Sequence, residues 1–355
     1  MPANHTKAPR VPDGPAPDTD SPPAIPAPDG LVLVTGAAGF IGSNLARAFA
    51  AEGHRVVACD RLRQGPKWRN LADVALHDLI TPEALPDWLG RHAGAVSLVL
   101  HMGAVSATTE TDVDRIVREN VRTTLDLWEW CARQRVRFLY ASSAATYGDG
   151  ALGFDDDPAP AALAALRPLN AYGWSKHLVD RRLLADARDG RATPPGWAGL
   201  KFFNVYGPGE DHKGEMRSVV NKIMPVVRDG GTVQLFRSHR PDYADGAQRR
   251  DFIHVDDIVA VIRWLAAKPE VSGLFNLGTG EARSWNDLAR AVFAAMGRAP
   301  RIAYIDMPPH IRGQYQYFTE ARMDRLRRAG WNRPFTSLEE GVRRYVEAAM
   351  PDAAA

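Results

Sequence analysis

From Leu31 onward, short aliphatic and β-branched runs alternate with longer amphipathic stretches. The run LVLVT at 31–35 reads as a strand, 40–52 as a helix, 55–60 as a second strand and 74–77 as a third. Further strand runs at 96–101 and 136–142 flank an amphipathic stretch at 112–134. Continuous apolar runs suit strands buried on both faces, and the stretches between them have helical length. The rhythm therefore predicts an α/β fold, a doubly wound parallel sheet with helices on both faces. Beyond Ser143 the pattern is less regular: a helix at 172–187, a strand ending at Asn204, and shorter strands at 232–236, 250–254, 274–276 and 301–305. We expect a nucleotide-binding core over 30–205 and a smaller C-terminal α/β substrate lobe over 206–355, with segments near 250–280 returning to the core.

Residues 1–29 are rich in Pro, Ala and Asp and lack apolar periodicity. Such a segment buries too little surface to offset its ordering entropy, so it is expected to be a disordered extension. It has no apolar stretch of signal-peptide type, and no later segment reads as a membrane span, so a soluble, cytoplasmic protein with no membrane partner is expected. The net charge of +2 gives no global pull toward nucleic acid. The two cysteines, Cys59 and Cys131, lack metal or CxxC spacing and suit a reducing compartment. His77, His101, His212, His239 and His254 are scattered, so no metal site is expected.

The first strand runs into Gly36-Ala37-Ala38-Gly39-Phe40-Ile41-Gly42. Glycines at these spacings allow a tight turn, close backbone approach to a pyrophosphate and tight helix–strand packing. The following helix then offers unpaired N–H groups to the anion. This is a Rossmann-type arrangement. Asp60, closing the second strand, is placed to accept from a ribose hydroxyl, which alone favours NAD. Arg61, Arg63 and Lys67 follow at once, and a 2′-phosphate needs such cations, so NADP is the expected cofactor.

Tyr172-Gly173-Trp174-Ser175-Lys176 sets a phenol and an ammonium four residues apart, on one helix face. A free phenol titrates near ~10, but a nearby ammonium and a positively charged nicotinamide favour phenolate and make it a usable acid–base group. The pattern alone is common in helices. It gains weight from Ser143, which follows a strand of the same sheet in ASSAATYG and could hydrogen-bond the same substrate oxygen.

With TGAAGFIG, SSAATYG, YGWSK, NVYGP, RDFIHVDDI and FNLGTG in this order, the chain resembles the extended short-chain dehydrogenase/reductases, which act on nucleotide sugars. The resemblance covers about residues 31 to 350. It implies Tyr172 as catalytic acid/base, Lys176 as its partner and Ser143 as third member. Within that superfamily NVYGPGEDHKGEM at 204–216 is similar to the signature of the ADP-heptose 6-epimerase family. So are HMGAVSATTE after the fourth strand, the residues Gly65, Lys67, Asn70 and Leu71, and GQYQ at 313–316. The implied reaction is inversion at C6 of an ADP-heptose for lipopolysaccharide core synthesis, with NADP bound and Lys67 at its 2′-phosphate. Cofactor contacts are also implied for Met102, Gly103, Ala104, Asn120, Val205, Lys176 and Lys213, and a homo-oligomer is expected.

Inverting a carbinol by oxidation and reduction requires the intermediate to turn, so its oxygen meets a second proton-transfer group. The resemblance gives that role to Lys213, and a desolvated lysine can have its pKa lowered into the working range. Substrate contacts are implied at Ser143, Asn204, Glu215, Lys222, Phe236, Arg250 and Tyr315. Arg250 would suit a diphosphate, whose oxygens match its fork. Glu215 stands where the family usually has serine and Lys222 where it has histidine; Phe-Arg-Ser-His at 236–239 replaces a smaller, glycine-containing stretch, and the loop to Arg250 is longer. Two other readings stay open: another nucleotide-sugar epimerase or dehydratase, such as a C4 epimerase that reuses one tyrosine, and a cofactor-sensing or RNA-binding relative without catalysis.

Overall fold

A computed structural model describes residues 30–312 and 315–350. The 1–29 extension and the Gly313-Gln314 part of the GQYQ motif lie outside the described residues. The large sheet is built from β1 (Leu31–Thr35), β2 (Arg55–Cys59), β3 (Asp78–Ile80), β4 (Val96–His101), β5 (Arg137–Ser143) and β6 (Trp197–Phe202). After β7 (Asn204–Tyr206), β8 (Val233–Phe236) and β9 (Arg249–His254), the chain returns with β10 (Gly273–Leu277), which pairs with β6. The seven strands are all parallel, in the order β10-β6-β5-β4-β1-β2-β3. The order reverses between β1 and β4, so the connections leaving their carboxyl ends part to opposite sides and open a crevice there.

Alternate residues of one strand serve opposite layers. Val32, Val34, Leu98 and Leu100 pack with helices Phe40–Ala51 and Val255–Ala266, whereas Leu31, Leu33, Val57 and Val99 pack with Trp88, Leu127, Trp128 and Leu183. Burial on both faces is why these strands read as unbroken apolar runs. A third core holds the smaller lobe together: Val220 and Met224, Leu288 and Val292, and Leu338, Val342 and Tyr345 come from helices Val219–Arg228, Trp285–Ala295 and Leu338–Ala349. With β11 (Ala282–Ser284) and β12 (Ile302–Ile305), the lobe's strands form one set in the order β11-β9-β7 and a parallel pair β12-β8.

One predicted strand is displaced. The third lies at 78–80, not at 74–77. The chain turns at Leu71, whose carbonyl accepts from the Val74 N–H, and the first contact with β2 is made by the His77 N–H to the Val56 carbonyl. Asp78, a poor strand former by propensity, is kept in β3 by accepting from the Trp88 indole N–H at 2.9 Å.

Candidate active site

The catalytic candidates sit just past the carboxyl ends of the parallel strands. Gly36 follows β1 with φ +65°, and a Cβ there would lie 2.7 Å from the Gly103 backbone nitrogen. A Cβ on Gly42 would collide with the Gly36 carbonyl. Gly39 is the N-cap of helix Phe40–Ala51 and no side chain caps it, so the N–H groups of Phe40, Ile41 and Gly42 have no partner within the helix. These features leave a bare, positively polarised cradle lining a cavity of about 810 Å³. The residues fit a dinucleotide.

Asp60, Arg61, Lys67, Met102, Gly103, Ala104, Asn204 and Val205 also line that cavity. Asp60 is fully engaged by the protein. Its Oδ2 accepts from the Ala38 N–H at 2.8 Å, and its Oδ1 accepts from the Arg61 N–H at 2.7 Å and from Lys67 Nζ at 2.5 Å. The carboxylate thus braces the glycine loop. The Arg61 guanidinium is drawn to Glu83 and Glu119. Arg63, exposed and with φ +51°, also lines the cavity.

Tyr172, Lys176 and Ser143 converge on the same cavity. Ser143 ends β5, and its hydroxyl accepts from the Ala145 N–H at 3.1 Å and lies close enough to the Tyr172 phenol to favour its ionised form. The helix Ala171–Arg188 begins at Asn170, whose side chain accepts from the Gly173 N–H at 2.8 Å. Gly173 explains how the helix comes so close: a Cβ there would lie 2.6 Å from the Ala145 carbonyl oxygen. Burial pushes the phenol above its ordinary range, and the Ser143 hydroxyl opposes this. Burial also pulls Lys176 down to about 8, against the field of Asp180. The protein's own groups therefore hold Tyr172 as a phenol beside an ammonium that is easily deprotonated.

Beneath this pair lies a network the sequence reading missed. Asp180 and Lys201 are fully buried and 2.7 Å apart. Asp180 also accepts from Tyr140 at 3.0 Å and Ser142 at 2.7 Å, and Lys201 donates to Thr146 at 2.6 Å. Asp180 falls four residues after Lys176 and eight after Tyr172, so helical spacing could have flagged it. His101 is locked neutral between the hydroxyls of Thr35 (2.7 Å) and Thr124 (2.9 Å), with burial and then Lys176 pulling it to about 3.

Lys213 reaches the cavity from the other lobe. It sits on a 3₁₀ segment, Asp211–Met216, with its Nζ 5.1 Å from the centre of the Phe40 ring. Burial lowers its pKa, while Glu210 raises it. Its neighbour His212 pairs with Asn70 at 3.1 Å.

Other expected contacts are placed elsewhere. Asn120 is fully buried in a π-helical turn, Val117–Arg122. Its amide joins Val105 to Ser175 through bonds of 2.7, 3.0 and 3.1 Å. It fixes the loop after β4 against the Tyr172 helix and does not line the cavity. Glu215 is 94% exposed and pairs with Lys222 at 3.2 Å, so the two neutralise each other outside the cavity. Phe236, Arg250 and Tyr315 gather in the smaller lobe. The Arg250 guanidinium stacks 5.1 Å from the Tyr315 ring centre and 5.7 Å from that of Trp285, and donates to the backbone carbonyls of Arg249 and Gln316. Phe236 meets Tyr315 edge-on, at 6.3 Å between ring centres. Tyr315 lines a second cavity of about 310 Å³, and Trp285, which donates to its hydroxyl at 2.8 Å, lines the first.

Comparison with known proteins bears on the fold and the family. Residues 32–278 match the NAD dependent epimerase/dehydratase family. An ADP-L-glycero-D-manno-heptose-6-epimerase of Nitratidesulfovibrio vulgaris (strain DP4) is 50% identical over 319 residues, 89% of this chain and 97% of that one. One from Fusobacterium nucleatum is 41% identical over 326 residues, with 89% and 97% covered. The crystal structure of the Helicobacter pylori ADP-L-glycero-D-manno-heptose-6-epimerase superposes with a TM-score of 0.74 at 28% identity, covering 90% of this chain and 96% of that one.

Proposed function

The chain belongs to the NAD dependent epimerase/dehydratase family, and from that premise we propose that it is an isomerase inverting C6 of an ADP-heptose. The substrate is ADP-D-glycero-D-manno-heptose, the product its L-glycero epimer, and the setting lipopolysaccharide core synthesis. One observation carries the reading: Tyr172 from the large lobe and Lys213 from the small lobe line one cavity beside the glycine cradle. The two groups act on one oxygen in two orientations. Tyr172 Oη exchanges the hydroxyl proton in one: the positive field of Lys176 and of a bound nicotinamide would favour its phenolate, the form that can take the proton, while Ser143 steadies the same oxygen. In the other, after the sugar turns, Lys213 Nζ exchanges the proton, and burial, by lowering its pKa, makes the ammonium readier to give that proton up. When bound, the nicotinamide supplies reversible hydride chemistry, so the C6 hydrogen does not mix with water.

The cofactor is NADP in preference to NAD. Supporting this, Asp60 has its oxygens committed to Ala38, Arg61 and Lys67, and Arg63 and Lys67 face the same cavity. Lys67→Glu should weaken NADP about tenfold or more, a charge-assisted contact's worth, and NAD far less; equal loss of both in a binding titration would contradict it. The protein works in the cytoplasm, in keeping with Cys59 and Cys131 being buried free thiols; among the described residues no helix is long and apolar enough to cross a membrane. It assembles as a homo-oligomer, a state supported by Trp174 and Leu178, exposed four residues apart on the Tyr172 helix.

The function is tested by offering ADP-D-glycero-D-manno-heptose and UDP-glucose in parallel and following the epimers by NMR. Conversion of the heptose alone is expected. Conversion of UDP-glucose alone would replace this reading with a C4 epimerase.

A further inference from the structure

Lys213 lacks the kind of support that Tyr172 enjoys. Its segment is six residues long and contains Gly214, whose φ of +55° and ψ of −125° break the helical turn. Two more glycines with positive φ, Gly207 and Gly209, precede it. A segment this short does not hold a long side chain in place by its own hydrogen bonds. Something else must do so.

The residue placed to do it is Glu210. Its side chain is fully buried in the smaller lobe, an unusual location for a carboxylate. Its backbone carbonyl accepts from the Lys213 N–H at 2.9 Å. Its carboxylate takes both the N–H and the hydroxyl of Ser218, the latter at 2.6 Å, and the phenol of Tyr345 at 3.2 Å. Ser218 is the N-cap of helix Val219–Arg228, and Tyr345 belongs to the final helix, Leu338–Ala349. Asn221 closes the ring, donating to Tyr345 at 2.6 Å and to Asp211 at 2.7 Å. One buried carboxylate thus ties the Lys213 segment to two helices of the lobe.

We infer that Glu210 is the positioning residue for Lys213, a clamp through which the lobe's last helix fixes the second proton-transfer group over the cavity. The inference rests on the acid–base role proposed above for Lys213. Burial lowers the Lys213 pKa and the Glu210 carboxylate raises it, while His212 beside it is lowered by burial first and then by Lys67 and Lys213, with Asp60 and Asp211 opposing. Removing the Glu210 charge should therefore lower the Lys213 pKa further and move the limb of the kcat profile that reports it to lower pH.

The test is a double-mutant cycle on the holoenzyme with Glu210→Gln and Lys213→Met. Glu210→Gln should lower kcat about tenfold or more, leave the cofactor Kd unchanged, and cost nothing further in the Lys213→Met background. An equal loss in both backgrounds, or wild-type kcat, overturns the inference. Should Glu210→Gln fail to fold, Tyr345→Phe decides: a several-fold fall in kcat that vanishes in the Lys213→Met background supports the clamp, and unchanged kcat overturns it. A fully active Lys213→Met enzyme is a different result, because it removes the role of Lys213 itself.

Discussion

The two groups proposed to move protons are held in opposite ways. Tyr172 rides an 18-residue helix seated on the sheet, capped by Asn170 and underpinned by the buried Asp180–Lys201 pair. Lys213 rides a six-residue turn between glycines, tied to the rest of its lobe by side chains around it: Glu210, which is fully buried, and at the rim Asp211 to Asn221 and Glu215 to Lys222. The first arrangement suits a group that must stay fixed relative to a cofactor bound at the strand ends. The second places its group by contacts between distant parts of the chain, and local changes there act on geometry more than on global stability. A site assembled from two lobes can thus draw rigidity from one and adjustability from the other.

The contrast is broken most directly by removing each group. Tyr172→Phe and Lys213→Met should each lower kcat by about 10²–10⁴-fold, the usual worth of a positioned proton-transfer group. Cofactor binding, followed by fluorescence titration, should survive both. Loss of activity in one variant only would mean that a single group serves both orientations.

Asp180→Asn comes next. Stranding the Lys201 ammonium in the core should cost about 3–5 kcal/mol of stability, read from denaturant unfolding. It should also move the alkaline fall of kcat. Burial pulls Lys176 to about 8 and Asp180 pulls it back up. Without that carboxylate the ammonium loses its proton at lower pH, so the fall begins below pH 8 rather than near it. An alkaline limb that does not move would show that Lys176 is not the group titrating.

The smallest effect on stability is expected in the loop. Gly214→Ala places a side chain at φ +55° where nothing lies within 4 Å, so its cost is backbone strain of about 1–3 kcal/mol, confined to the segment. The melting temperature should fall by only a few degrees, less than in Asp180→Asn, while kcat falls. A large drop in melting temperature with normal kcat would reverse the comparison, making the loop structural and its lysine incidental.

The legibility of the two halves differs for the same reason. The glycine cradle, Tyr172, Lys176 and Ser143 follow local rules: strand, tight turn, helix, and a spacing of four. Asp180 obeys that spacing too and could have been found. Asn120, expected at the cofactor, is buried because its partners Val105 and Ser175 come from other elements. The expectation that Arg250 suits a diphosphate comes from its fork alone; the two carbonyls it already serves, of Arg249 and Gln316, depend on how β9 lies beside the segment 315–318 and are not legible in the sequence. The strand at 78–80 was missed because Asp78 needs Trp88 to be tolerated there. Glu210 gave no signal, since its partner Tyr345 lies 135 residues away.

The central claim is that Tyr172 and Lys213 exchange protons with the sugar oxygen alone, at C6, and never with its carbon. Turnover of ADP-D-glycero-D-manno-heptose in deuterated water, with the product examined by mass spectrometry after one conversion, tests this directly. The expected result is an L-glycero product without solvent deuterium at C6. Deuterium at C6 would mean that one of these groups had removed a carbon-bound proton, after oxidation at a neighbouring position, and would contradict the claim.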